Sequence, residues 1–356
     1  MKSISAAGYN IDFNENGYDS LHRILEQNTY SKIIILVDEN TSTSCLPPFL
    51  ESLSTTVAIE IIEIESGEEH KTIETCAQLW TALTELGADR KSVLINLGGG
   101  VITDLGGFLA STYKRGVDFI NIPTTLLAMV DAAIGGKNGI DLGNLKNQIG
   151  TITNPKMVLI DTHFLETLPQ NQMRSGLAEM LKHGLILDQS YWNQFLNLSQ
   201  LDTTDLPELI YRSVEIKNKI VLQDPTEKGI RKSLNFGHTL GHAIESYFLE
   251  KENRATLLHG EAIAIGMILE SYISFELKLL SFESFLEIKT VLLSLFGIVE
   301  ISPEDQEFII NLLVHDKKNE YGKIQFVLLE QIGKVKINQE VPNNLILNAF
   351  KNYAIP

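Results

Sequence analysis

Cysteine is nearly absent from this chain. Its 356 residues include only Cys45 and Cys76, and their spacing suggests neither a disulfide framework nor a metal–thiolate cluster. Both are expected to be buried thiols. A long apolar run is missing too. Leu257 to Leu280 comes nearest, but His259, Glu261, Glu270, Glu276 and Lys278 interrupt it, which excludes a membrane span. The opening stretch MKSISAAGYNIDF lacks the apolar core of a signal peptide, so a cytoplasmic location is expected. Positive charge is scarce: 29 Lys and Arg against 45 Asp and Glu leave a formal net charge of −16. A protein so acidic repels phosphate backbones, so neither nucleic acid nor membrane is expected as a partner. There is no internal repeat, no low-complexity segment and no linker rich in Pro, Gly or Ser. What is present is a globular composition, 44% hydrophobic and 21% charged, on a chain too long for one small core.

The first 165 residues alternate short apolar runs with amphipathic ones. Lys32–Val37, Val57–Glu63, Val93–Leu97, Asp118–Ile122 and Lys156–Ile160 read as strands. His70–Leu86 has helical spacing and ends at Gly87. This predicts an α/β, Rossmann-like domain over 1–165 with a mostly parallel sheet. Beyond Phe164 helical patterns dominate: Met173–Leu187, Leu206–Leu222, Ser233–Phe248, Glu261–Leu279 and Phe282–Phe296. Strands return only at Ile324–Leu329 and Val335–Ile337. A mainly α-helical domain over 166–356 is expected, with the active site in the cleft between the two.

Three groups of residues carry chemistry. The first is a strand running into Gly98-Gly99-Gly100 and a helix beginning near Val101. Glycine lets a phosphate approach the backbone, and the helix start offers N–H groups and a positive dipole end. The pattern is not the G-x-G-x-x-G fingerprint. Asp38 and Asn40, at the end of an earlier strand, suit ribose hydroxyls, and Thr124 and Thr125 follow another strand end, where they cap a helix or meet a ligand. The second group is Asn235-Phe-Gly-His238-Thr-Leu-Gly-His242-Ala-Ile-Glu245, with His259-Gly260-Glu261 beyond it. Histidines four apart share one helix face, and Asn235 and Glu245 fall close to that stripe. Upstream, Glu179, Lys182 and His183 share another face. One Glu and two His suit a catalytic zinc with an open fourth position. The spacing leaves three options open: His238 with His242, His238 with His259, or a set including His183. The third group is cationic, with Lys137, Lys146, Lys182 and Arg231 inside these motifs and Arg115, Lys217 and Lys317 elsewhere. Basic groups beside Gly-rich loops and metal-type ligands suit a small polyanion such as a sugar phosphate carrying a carboxylate.

Taken in order, SGEEHK (66–71), GGGVITDLGGF (98–108), IPTTLLAMVDAAIGGKNGID (122–141), LKNQIG (145–150), SGLAEMLKHGLI (175–186), RKSLNFGHTLGHAIE (231–245), LHGEA (258–262) and DKK (316–318) cover most of the chain. This series resembles the 3-dehydroquinate synthase family of sugar-phosphate cyclases. The resemblance implies zinc, or cobalt in its place, on Glu179, His238 and His259. It implies NAD at Asp38, Asn40, Glu68, Lys71, Gly99, Gly100, Asp104, Thr124, Thr125, Asp131, Lys137, Lys146, Phe164, Thr167 and Leu168. It implies substrate or catalytic roles for His242, Lys137, Lys182, Asn147, Lys217, Arg231, Asn235, Lys317 and Glu227, and for Arg115 as a phosphate ligand reaching across a homodimer. The implied reaction turns 3-deoxy-D-arabino-heptulosonate 7-phosphate into 3-dehydroquinate and phosphate by transient oxidation, phosphate elimination, reduction, ring opening and aldol closure. Thr103, Asn138, Leu145 and the length of the His242–His259 connection depart from the usual pattern. Related cyclases acting on sedoheptulose 7-phosphate or glucose 6-phosphate lack the carboxylate on their substrates. An alcohol dehydrogenase of the glycerol dehydrogenase type needs fewer lysines. A catalytically dead scaffold would not need the complete ligand set.

Overall fold

Apolar runs such as Ile33–Val37 and Val93–Ile95 are the signature of parallel strands covered on both faces. A computed structural model describes residues 1–143, 145–196, 205–249, 251, 256–313 and 324–355. The chain divides into two compact units, Met1–Pro169 and Gln170–Pro356.

The first unit runs β1 (Ile4–Ser5), β2 (Asn10–Phe13), α1 (Asn14–Asn28), β3 (Ile33–Asp38), α2 (Glu39–Ser44), α3 (Leu46–Ser52) and β4 (Ile59–Ile64). It continues through α4 (Ile73–Glu85), β5 (Val93–Gly98), α5 (Gly100–Thr112), β6 (Asp118–Pro123), β7 (Lys137–Leu142), β8 (Leu145–Ile152) and β9 (Met157–Ile160). Seven strands form one sheet in the order β1-β2-β9-β6-β5-β3-β4. All neighbours are parallel except β1 and β2. Ile34, Leu36 and Leu94 of the sheet pack with Cys76, Leu79 and Leu83 of α4 and Ile102, Leu105 and Leu109 of α5. The strand order reverses at β3, which has β4 on one side and β5 on the other. Open α/β sheets bind ligands at such a switch point, beyond the carboxyl ends of the strands. Asp38 ends β3 and Gly98 ends β5, so the expected cofactor residues flank that point.

Two features of this unit escape the periodicity. The short strands β1 and β2 carry too few residues for a pattern. Lys137–Leu142 and Leu145–Ile152, read as glycine-rich loops bearing lysines, instead pair as the antiparallel strands β7 and β8. Asn138 explains their seat: its Nδ2 donates to Gly136 O at 3.0 Å and Thr153 O at 2.9 Å. A Cβ on Gly107 of α5 would lie 2.0 Å from its Oδ1.

The second unit contains α6 (Gln170–Leu187), α7 (Gln189–Asn193), α8 (Leu206–Gln223), α9 (His238–Leu249), α10 (His259–Glu276), α11 (Phe282–Phe296), α12 (Pro303–Leu312) and α13 (Asn343–Tyr353). Strands β10 (Phe326–Gln331) and β11 (Lys334–Gln339) add an antiparallel hairpin. Helix α10 carries apolar residues on every side and is buried from Ala262 to Ser271, the behaviour expected of a helix at a core centre. No described helix is long and apolar enough to cross a membrane.

The single helix expected over Ser233–Phe248 is corrected. A 3₁₀ segment covers Ile230–Asn235, and α9 starts only at His238. The break is Gly237, whose φ of +78° suits glycine and few other residues. A Cβ on Gly266 of α10 would lie 2.0 Å from Gly237 O, so the two helices meet backbone to backbone. The fully buried Glu270 of α10 accepts Gly237 N at 2.7 Å and Leu240 N at 3.3 Å, capping α9. Asn235 therefore lies outside the helix that carries the histidines and does not share their stripe.

Candidate active site

In the first unit the expected cofactor residues collect at the strand ends. The α5 N-cap is Gly99, which has no side chain to occupy the first-turn N–H groups. Thr124 N donates to Gly98 O at 3.0 Å and ties β5 to β6. Thr125 acts as a cap, its Oγ1 accepting Ala128 N at 3.2 Å, and Thr124 is buried beside it. Asp38 caps α2 through Thr41 N at 2.8 Å, and Asn40 is exposed on the same helix. An uncapped helix start and contiguous glycines fit a dinucleotide phosphate. Phe164 is buried in the 3₁₀ segment Thr162–Thr167, where Thr167 Oγ1 donates to Phe164 O at 3.3 Å and Leu168 closes the turn.

Beside this edge lies a closed set of charges. Lys71 Nζ is 2.8 Å from Asp104 Oδ2 and 3.5 Å from Glu68 Oε1, and Lys146 Nζ is 3.7 Å from the same Glu68 oxygen. Burial opposes the Lys71 charge, but Asp104, Glu68 and Asp141 outweigh it and raise its pKa. Burial pushes the Asp141 carboxyl up, against Lys71. Asp141 links two of the expected groups: its N–H donates to Lys71 O at 2.8 Å, and its Oδ1 accepts Asn147 N at 2.6 Å. Asn147 is left-handed, with φ +51°. Asp131 lies in the π-turn Ala128–Ala132, Lys137 is exposed at the start of β7, and Arg115 is exposed in a left-handed turn after α5.

In the second unit Glu179, Lys182 and His183 are all buried on α6. Lys182 Nζ closes on Glu179 Oε2. The other oxygen, Oε1, has no hydrogen bond; it lies 3.5 Å from His238 Nε2 and 3.7 Å from His259 Nε2. Burial would raise the Glu179 carboxyl, but Lys182 and His259 hold it ionised, well below the usual range. Both rings are oriented from behind. His238 Nδ1 meets Phe236 O at 3.1 Å, and His259 Nδ1 meets Glu245 Oε2 at 3.2 Å. Ring nitrogens held from behind by Phe236 O and Glu245, with the opposite nitrogens toward one carboxylate oxygen, suit a metal ion. The donor set fits zinc or a similar divalent ion. His242 belongs to the same cluster: ligand atoms of His238, His242 and His259 all lie within 4.8 Å of one another. His183 Nδ1 lies 2.7 Å from Ser213 Oγ of α8, and a ligand atom of His183 also lies within 4.8 Å of one of Glu179.

Around this cluster Lys217 is buried on α8 and Arg231 is buried in the 3₁₀ segment. Arg231 Nη1 donates to Pro225 O at 2.7 Å, and Asn235 Nδ2 donates to Glu227 Oε1 at 2.9 Å. Lys317, the DKK motif and most of the stretch between α9 and α10 lie outside the described residues. Sequence reasoning assigned no role to Asp141, Asp224, Glu245 or Glu270. Of these only Glu245 carried a signal, its helical spacing from the histidines.

The family description "3-dehydroquinate synthase N-terminal" matches residues 61–175, and "3-dehydroquinate synthase C-terminal" matches residues 176–319. The chain is 43% identical over 336 residues to a 3-dehydroquinate synthase of Parabacteroides distasonis, covering 94% of each. Among solved structures it is similar to a 2-deoxy-scyllo-inosose synthase complexed with carbaglucose-6-phosphate, NAD+ and Co2+, with TM-score 0.86, 26% identity and 99% of each chain covered. It is also similar to a 2-epi-5-epi-valiolone synthase from Streptomyces hygroscopicus with NAD+ and Zn2+ bound, with TM-score 0.84, 26% identity and the same coverage.

Proposed function

The chain belongs to the 3-dehydroquinate synthase family, and from that premise we propose that it converts 3-deoxy-D-arabino-heptulosonate 7-phosphate into 3-dehydroquinate and phosphate in the shikimate pathway. The observation that carries this reading is Glu179 Oε1, buried and without a hydrogen bond, facing the Nε2 atoms of His238 and His259. Zinc bound there, or cobalt in its place, supplies Lewis-acid polarisation of substrate hydroxyls. NAD held at the first unit's strand ends supplies a reversible hydride acceptor, so no net redox change results.

The chain's own residues bind, orient and move protons. Lys182, Lys217, Arg231 and Asn235 hold the anionic and hydroxyl groups of the substrate in the second unit, with Glu227 orienting Asn235. His242, beside His238 and His259, relays protons to and from the reacting carbons. Lys146, Lys137 and Asn147 of β7 and β8 and Asp131 serve cofactor and substrate together. Lys317 joins the substrate set by its motif. Arg115 serves the phosphate from the partner of a homodimer, and the enzyme works in the cytoplasm.

The test is direct. Zinc-loaded protein with catalytic NAD is incubated with the heptulosonate phosphate, and phosphate and 3-dehydroquinate are measured. Equal release of both without NADH accumulation is expected. Turnover of sedoheptulose 7-phosphate or glucose 6-phosphate in its place would assign the chain to a related cyclase activity. Accumulating NADH would mark an alcohol dehydrogenase.

A further inference from the structure

The loop between α8 and the 3₁₀ segment is folded around one carboxylate. Asp224 directly follows α8, and its N–H still donates to Ile220 O at 3.1 Å. Its side chain then accepts three backbone N–H groups from further along the chain: Lys228 N on Oδ1 at 3.0 Å, and Gly229 N and Arg231 N on Oδ2 at 2.7 and 3.0 Å. Donors at the entry to a helical segment have no partner within it and must find one outside.

The ring closed in this way presents two acceptors. Glu227 sits inside it at φ +60°, a left-handed conformation that is costly for a residue with a Cβ. From there its Oε1 accepts Asn235 Nδ2 at 2.9 Å. Pro225, also inside the ring, accepts Arg231 Nη1 at 2.7 Å through its carbonyl. Asp224 thus sets the backbone, while Glu227 and Pro225 aim Asn235 and Arg231. Partial burial would raise the Asp224 carboxyl, but the three N–H donors and Arg231 outweigh it and hold the group ionised below the usual range.

We propose that Asp224 is a positioning residue for substrate recognition, acting through Arg231 and Asn235 to set where their donors meet the anionic groups of the sugar phosphate. The proposal rests on the reading of Arg231 and Asn235 as substrate ligands. A carboxylate is needed because both of its oxygens accept. An asparagine there would turn an NH₂ toward backbone N–H groups and leave at least one of them unpaired.

The experiment uses the full chain loaded with zinc and NAD, comparing Asp224→Asn and Asp224→Ala with the unaltered protein. KM and kcat for the heptulosonate phosphate, zinc content, NAD affinity and thermal midpoint are measured for each. Asp224→Asn is expected to raise KM about tenfold with a smaller change in kcat, and Asp224→Ala to raise it further. Zinc stoichiometry and NAD affinity should stay at the unaltered values. Should Asp224→Ala not fold, the isosteric Asp224→Asn carries the same measurement. A lowered thermal midpoint with unchanged KM and kcat would make Asp224 a local stabiliser only and overturn the proposal, as would loss of zinc from Asp224→Asn. If the unaltered protein releases no phosphate from this substrate, the functional reading fails and takes the proposal with it.

Discussion

The two charged clusters of this protein treat buried charge in opposite ways. In the first unit Lys71 is enclosed by Asp104 and Glu68, and Glu68 is shared with Lys146, so each charge already has its counter-charge. In the second unit Lys182 satisfies only one oxygen of Glu179, and the other faces two imidazole nitrogens without a hydrogen bond. A closed network rigidifies its surroundings whether or not a ligand is present. An orphaned buried carboxylate oxygen is costly until a cation occupies the space before it. Under the proposed function the first cluster would hold a shape for the cofactor, and the second would take up the metal.

The largest expected effect tests the second half of that contrast. Glu179→Ala should lose zinc altogether, read as metal content after dialysis against a chelator. His242→Ala should keep it. If His242→Ala loses the metal and Glu179→Ala retains it, the three histidines form the site and the bare oxygen is incidental. Next comes Lys71→Ala, which removes the cation between Asp104 and Glu68 and leaves Glu68 with Lys146. It should destabilise the protein by roughly 2–3 kcal/mol in urea unfolding, less than a fully buried pair would cost because both carboxylates are partly exposed. Zinc content should not change; a loss of metal would break the separation of the two clusters. The smallest effect sharpens the role of Glu245. Glu245→Ala should weaken zinc binding about tenfold by freeing the His259 ring. Glu245→Gln should do less, since its amide oxygen can still accept from Nδ1. Zinc affinities in both variants equal to that of the unaltered protein would show that Glu245 does not hold the His259 ring for the metal.

Much of the first unit could be read directly from the chain. Parallel strands buried on both faces leave uninterrupted runs of Ile, Leu and Val, and a phosphate-binding turn leaves contiguous glycines. The β7–β8 pair was hidden because its outer strand β8 is mostly exposed and polar, so no buried face marks it. In the second unit the helices were visible by period, but the end of one was not. Gly237 looks like any glycine within a helical pattern until Glu270, more than thirty residues away, is seen to cap the segment that follows it.

By itself the sequence determined the fold class, the family and the residue types available for chemistry. Those depend on local periodicity and on ordered motifs, which are properties of neighbours in the chain. Only the tertiary structure decided which oxygen of Glu179 is bare, which carboxylate stands behind His259, and that Asp224 gathers three backbone donors ahead of Arg231. Each of these is a matter of hydrogen-bond direction and of which partner reaches a buried polar atom first. That is settled by packing across helices and loops, and spacing along the chain does not encode it.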